Sequence, residues 1–153
     1  MNLILWRHAE AENTSPDITR ALTSRGQKQA AKMATWLKPQ LPDDTVILVS
    51  PALRAQQTAL ALTDQFTTLD ILAPGASADQ LLIAANWPED ARTVVIVGHQ
   101  PTLGMAASKA LSGKAEYCSV RKGAIWWLNS RIRDGERQTI LRAVVSPDLL
   151  DPN

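Results

Sequence analysis

Hydrophobic positions gather into three unbroken runs, and each run ends in charge or imidazole. Leu3-Ile4-Leu5-Trp6 gives way to Arg7-His8, Val46-Ile47-Leu48-Val49 to Ser50-Pro51-Ala52-Leu53-Arg54, and Val94-Val95-Ile96-Val97 to Gly98-His99-Gln100-Pro101. Apolar runs without polar alternation are the pattern of strands buried on both faces, as in a parallel sheet covered by helices. Between the runs the period changes to three and four residues. Ala30, Met33, Ala34, Leu37 and Leu41 mark one helical face, opened by the capping-box spacing Ser24-Arg25-Gly26-Gln27 and closed by Pro39 and Pro42. Ser50 as N-cap and Pro51 as first residue predict a helix running to about Phe66, with Ala55, Thr58, Ala59, Leu62 and Phe66 inward. Pro101 opens another, with Leu103, Ala106, Ala107 and Ala110 inward and Ser112-Gly113 at its end.

The remaining segments are weaker in pattern. Ala9 to Arg20 reads as a polar loop with turn chemistry at Ser15-Pro16-Asp17. Leu69 to Leu72 reads as a short strand and Ser77 to Asn86 as a short helix, joined by Trp87-Pro88-Glu89-Asp90 to a strand at Thr93 to Val97. Gly123 to Leu128 and Gln138 to Val145 form an expected antiparallel pair around Asp134-Gly135, and 146–153 reads as a tail. This order predicts a three-layer α/β/α sandwich with a mainly parallel central sheet and an antiparallel edge, one domain over 1–153.

Composition narrows the function classes. A net charge of +1 offers no basic stripe for nucleic acid, and no apolar run approaches the roughly 20 residues that span a bilayer. The chain enters its first strand without a basic leader and apolar h-region, so a cytoplasmic location is expected. Cys118, the single cysteine, excludes an internal disulfide and a cysteine-based metal cluster.

The chemistry lies at the ends of the three runs. Ligands bind at the carboxyl edge of open α/β sheets, and that edge receives Arg7, His8, Arg54 and His99, which include both histidines of the chain. Arg54 falls in the first turn of its helix, where side chains lean back toward the strand end. Guanidinium groups bind tetrahedral oxyanions through paired donors, and helix N-termini favour the same ligands. The expected pocket is for a phosphoryl group, with one neutral imidazole attacking phosphorus and the other acting as a cationic donor to its oxygens. The arginines supply the positive charge, so neither a metal nor another cofactor is called for.

Arg7-His8-Ala9-Glu10 resembles the Arg-His-Gly signature of the histidine phosphatase superfamily, with its phosphoglycerate mutase-like fold. The similarity extends to Ser50-Pro51-x-x-Arg54-x-x-x-Thr58 and to Val97-Gly98-His99-Gln100-Pro101, and the Arg20-Ala21-Leu22-Thr23-x-x-Gly26 segment and short length resemble its SixA-type phosphohistidine phosphatase branch. The resemblance implies that His8 is the nucleophile, that Arg7, Arg54 and His99 form the phosphate pocket, and that Arg20 is accessory to it. It implies a phosphatase acting on a histidine-phosphorylated protein or a small phosphorylated substrate. Ala9 stands where the signature has glycine. Larger members carry a catalytic carboxylate between the second and third motifs, and here that span offers Asp70, Asp79, Glu89 and Asp90 without a recognisable pattern, Asp79 being best placed.

An absent acid suits a leaving group that departs unaided. Alkoxides need protonation, whereas histidine, which titrates in water near about 6.5, leaves readily from a phosphoramidate. Dephosphorylation of protein phosphohistidine is the reading favoured; a broad small-molecule phosphomonoesterase and a non-catalytic phosphate-binding module are the alternatives. Paired structural histidines or a two-histidine metal site fit less well, because adjacent guanidinium charges oppose a cation and no third ligand is evident. Trp6, Trp36, Trp126 and Trp127 read as packing residues, Glu10 and Glu12 as solvated loop charges, and Cys118 as inert.

Overall fold

Six strands form one sheet in the order β3-β2-β4-β1-β5-β6, where β1 is Asn2–Arg7, β2 Val46–Val49, β3 Thr67–Thr68, β4 Thr93–Gly98, β5 Ile125–Arg133 and β6 Glu136–Val145. In this computed structural model, residues 1–151 are described. β1 to β4 pair in parallel, and β5 and β6 join antiparallel. Four helices cover the sheet: α1 (Ser24–Leu37), α2 (Leu53–Leu60), α3 (Ala78–Ala84) and α4 (Thr102–Ser112).

The strand pleat divides the core into two layers. Leu3 and Leu5 of β1 point with Val94 and Ile96 of β4 toward Leu81 of α3 and Leu103 and Ala107 of α4. Ile4 and Trp6 point with Val95 and Val97 toward Met33 and Leu37 of α1 and Ala55 and Ala59 of α2. Successive residues of β1 therefore serve opposite layers, which is why the run shows no polar alternation. Trp6 is wholly buried and its Nε1 donates to the Gly123 carbonyl at 3.0 Å. Trp36 and half-buried Trp126 pack on the core, and Trp127 lies within it. At the hairpin, Asp134 and Gly135 both take positive φ, +53° and +77°, the pair a type I′ turn requires.

Local details depart from the sequence reading where side chains found other partners. Thr23, one residue before Ser24, caps α1, its Oγ accepting from the Gly26 N–H at 2.9 Å. α2 begins at Leu53 rather than Pro51, and it stops at Leu60 rather than near Phe66. There the Thr63 hydroxyl accepts the Gln65 N–H at 3.0 Å, a local bond that competes with helix continuation. The strand expected at Leu69 to Leu72 is instead the two-residue β3 followed by a 3-10 turn at Asp70–Leu72. The clearest correction is the tail expected at 146–153. Ser146 and Pro147 are buried, Pro147–Leu150 forms a 3-10 turn, Leu150 packs on the core, and Lys32 of α1 pairs with Asp151. Leu150 buries apolar surface that a free tail would leave in water. Pro152 and Asn153 lie outside the described residues.

Candidate active site

The strand ends are tied to one another beyond the regular ladder. His8 N–H donates to the Gly98 carbonyl at 3.1 Å, Ser50 N–H to the Val97 carbonyl at 3.1 Å, and Arg7 N–H to the Ala124 carbonyl at 3.0 Å. His8 and Ser50, which follow β1 and β2, are thus fixed by backbone bonds to the end of β4, and His99, which follows β4, accepts the Leu103 N–H on its carbonyl at 3.0 Å. His8, Arg54 and His99 are buried together, at 7%, 4% and 4% exposure, and the two imidazole rings lie 5.2 Å apart. Arg54 Nε donates to His8 Nε2 at 3.3 Å. All four residues expected at the strand ends are brought to one edge of the sheet.

Hydrogen-bond inventory assigns the tautomers. His8 Nδ1 lies 2.7 Å from the Ala9 carbonyl; a carbonyl only accepts, so Nδ1 carries the proton and Nε2 the lone pair. His99 Nε2 lies 2.7 Å from Ser50 Oγ, which already accepts the Ala52 N–H at 3.1 Å. Ser50 is wholly buried, and among the described residues His99 Nε2 is the acceptor within reach of its hydroxyl proton. Ser50 therefore donates to Nε2, which places the ring proton of His99 on Nδ1. Two buried side-chain polar atoms among the described residues have no partner, His99 Nδ1 and Arg7 Nε. Both belong to this cluster, and buried donors are ordinarily satisfied.

Burial is the main reason both histidines stay neutral. It pushes His8 down to about 4, helped by the charges of Arg54, Arg7 and Arg20 and opposed by the Ala9 hydrogen bond. It pushes His99 down to about 3, helped by His8 and Arg54 and opposed by Asp17. In the free protein, burial holds His99 neutral, so the ring presents an N–H rather than a cation before a phosphoryl group binds.

Supporting residues come from segments whose sequence suggested other roles. Thr58, read as a core position, accepts the Ala9 N–H at 3.1 Å and donates to the Arg54 carbonyl at 2.8 Å, joining the end of β1 to α2. Ser50, read as a helix cap, holds His99. Asp17, read as a turn residue, accepts Arg54 Nη1 on its carbonyl at 2.8 Å and Nη2 on its carboxylate at 3.1 Å. Arg20 reaches the cluster through Asp17, donating to its other carboxylate oxygen at 3.2 Å and to the Glu12 carbonyl at 2.7 Å. The signal for Asp17 was its three-residue spacing from Arg20 inside a segment otherwise read as loop.

Asp79 pairs with Lys109 and Glu89 with Arg137 at 3.3 Å, so neither is committed to the histidines. Glu89 precedes β4 and lies toward the opposite edge of the sheet from His99. Glu10 is half-buried rather than freely solvated, and its carboxylate accepts the Thr23 hydroxyl at 3.1 Å.

Two glycines allow the loops over the site to approach the helices. A Cβ on Gly26 of α1 would sit 2.0 Å from the Glu10 carbonyl oxygen, and one on Gly104 of α4 would sit 1.7 Å from that of Cys118. The second approach seats the loop whose Val120 carbonyl accepts Arg7 Nη1 at 2.8 Å. No helix among the described residues is long and apolar enough to cross a membrane.

Residues 3–73 match the family model of the histidine phosphatase superfamily, branch 1. The phosphohistidine phosphatase SixA of Escherichia coli (strain K12) is 30% identical over 123 residues, spanning 74% of this chain and 76% of that protein. The structure of the protein histidine phosphatase SixA complexed with tungstate superposes with a TM-score of 0.78 at 25% identity, over 99% of this chain and 100% of that one. A phosphoserine phosphatase from Entamoeba histolytica shares the fold, with a TM-score of 0.70 at 18% identity over 95% of this chain and 97% of that one. With its motifs at the ends of β1, β2 and β4 and a relative aligned over most of its length, this chain belongs to the histidine phosphatase superfamily, in its SixA-type branch.

Proposed function

We propose that this protein is a metal-independent phosphatase that uses His8 as nucleophile and removes the phosphoryl group from phosphohistidine on a protein. The observation that carries the reading is the state of His8: a neutral ring, protonated on Nδ1, with its Nε2 lone pair set among guanidinium groups. An imidazole protonated at neutral pH has no lone pair to offer phosphorus; one with a pKa of about 4 does. The unpartnered Arg7 Nε and His99 Nδ1 are the donors a tetrahedral oxyanion would satisfy. The similar SixA structure is a complex with tungstate, itself a tetrahedral oxyanion.

The steps follow from these positions. His8 Nε2 forms a bond to phosphorus as the bond to the leaving nitrogen breaks; the substrate ring, carrying a proton on its other nitrogen, keeps the electron pair and departs as neutral imidazole. Arg7, Arg54 and His99 Nδ1–H face the oxygens on which negative charge spreads in the transition state. The long Arg54 Nε to His8 Nε2 contact is given up as the guanidinium turns to those oxygens. Water then attacks the phosphohistidine, the phosphorus–nitrogen bond breaks toward His8, and a water proton is released to phosphate or solvent. The neutral nucleophile is restored.

The carboxylates near the site bear on the leaving group. Asp17, the one found beside Arg54, is held below the usual carboxylate range by Arg20 and Arg54, so it is ionised and a poor proton donor. A site without a proton donor favours a leaving group that needs none from the enzyme, and imidazole, which takes its proton from solvent on the ring's other nitrogen, is such a group. Phosphorylated protein is the matching substrate class, in line with the name of the E. coli relative.

The test is to quench turnover of a labelled phosphohistidine peptide in base and to map the trapped label. Acid-labile label on the peptide containing His8 is expected, with activity unchanged by a chelator. No trapped label under rapid turnover, or alkyl esters hydrolysed as fast as phosphoramidates, would overturn the assignment.

A further inference from the structure

Past β1, toward β5 and β6, the same edge of the sheet carries a groove of about 520 Å³ that borders Arg7. Its walls are the exposed side of α1, the loop before β5 and the segment after β6. Six cations line it: Arg7, Arg25, Lys28, Lys32, Arg121 and Lys122. Its three carboxylates are each engaged, Glu10 by Arg25 at 4.0 Å, Asp148 by Arg121 at 3.6 Å and Asp151 by Lys32. Among the described residues, Arg7, Lys28 and Lys122 face the groove without a carboxylate partner. The excess of three positive charges is local, since the whole chain carries only +1.

We propose that this groove docks an acidic stretch of the phosphoprotein substrate, placed next to the phosphohistidine in the folded partner. The inference rests on the phosphatase reading above and adds to it a recognition surface. Sheet topology provides the connection: the histidines lie over β4 and β1, the groove over β1 and β5, and Arg7 belongs to both. A phosphoryl group seated at His8 leaves the rest of its carrier over that edge. The unpaired cations stand on three separate elements, the end of β1, α1 and the loop before β5, so they suit several spaced carboxylates better than one compact anion. Complementary charge of this kind acts mainly on encounter and KM, and salt weakens it.

The experiment compares two phosphohistidine peptides that differ only in flanking residues, glutamates in one and glutamines in the other, with p-nitrophenyl phosphate as a probe of the reaction centre. The intact protein should prefer the acidic peptide by about tenfold in kcat/KM at low salt, mostly through KM, with the preference shrinking as salt rises. The double variant Lys28→Glu, Lys122→Glu, at two exposed positions, should lose that preference and hydrolyse the aryl phosphate at a rate close to the parent's. Equal rates on both peptides, or a preference that survives the charge reversal, overturn the proposal. A small bisphosphate that shows the KM advantage instead also overturns it, and assigns the groove to a small anion. If no phosphorylated substrate is turned over at all, the phosphatase reading fails and the docking surface falls with it.

Discussion

Ser50→Ala removes one hydroxyl from a wholly buried position, and the consequence falls on the neighbouring imidazole. In the native arrangement Ser50 Oγ accepts the Ala52 N–H at 3.1 Å and donates to His99 Nε2 at 2.7 Å, which leaves the Nδ1 proton for the phosphoryl oxygens. Without the hydroxyl, Nε2 sits in a site 4% exposed with no partner, and the ring is free to move its proton to Nε2. A buried polar group left unsatisfied costs about 1–3 kcal/mol. If that cost is met in the transition state, kcat falls by roughly 5- to 150-fold. The assay is steady-state turnover of p-nitrophenyl phosphate together with the inhibition constant of vanadate, both of which should weaken. His99→Ala and the double variant complete a cycle: on the His99→Ala background, loss of Ser50 should add almost nothing. Two results refute the reasoning: a Ser50→Ala enzyme as active as the parent, or losses that simply multiply in the double variant. Thermal denaturation of each variant separates a damaged fold from a misplaced proton.

Other outcomes follow from the same geometry. Unfolded histidine titrates near 6.5 while folded His8 and His99 titrate near 4 and 3, so below about pH 6.5 the unfolded chain binds protons the folded chain refuses. Urea midpoints should therefore fall steadily from pH 6.5 toward pH 4, by about 3 kcal/mol from His8 alone, and His8→Asn should flatten that slope; a pH-independent midpoint in the parent would contradict the burial argument. The acid limb of kcat/KM, corrected for substrate ionisation, should lie well below 6.5 and close to 4; a limb at 6.5 would mean an exposed nucleophile. Arg54→Lys should lower kcat by about 10²-fold, because one ammonium cannot replace a planar fork that reaches His8 and Asp17 together; steady-state rates of the two proteins measured side by side check this, and equal rates would contradict it. Asp17→Asn keeps the carbonyl bond to Arg54 Nη1 but removes a negative charge from the rim, so inorganic phosphate should inhibit about two- to fivefold more strongly; unchanged inhibition would place that carboxylate out of range.

Features that depend on neighbours along the chain are legible from the residues alone. The runs at Leu3, Val46 and Val94 have no polar alternation, so they had to be interior strands, and their ends had to carry Arg7-His8, Ser50 to Arg54 and His99 to the same edge. The Asp134-Gly135 turn was legible for the same reason, since its backbone angles follow from those two residues. Tertiary structure decided whatever depends on which atoms meet across the fold. Asp17 and Arg54 are 37 positions apart, Ser50 and His99 are 49 apart, and Thr58 lies 49 positions from Ala9; no local pattern marks such pairs. Ser50 and Pro51 fit a helix start by their own preferences, yet the Ser50 hydroxyl is held by His99 and the helix begins later. The segment after β6 reads as a polar tail because it has two prolines and two aspartates, yet Leu150 finds apolar surface that only the folded core supplies. Protonation is decided at that level too: a histidine near 6.5 in water is held neutral at His8 because burial, with the charges of Arg54, Arg7 and Arg20, disfavours its cation.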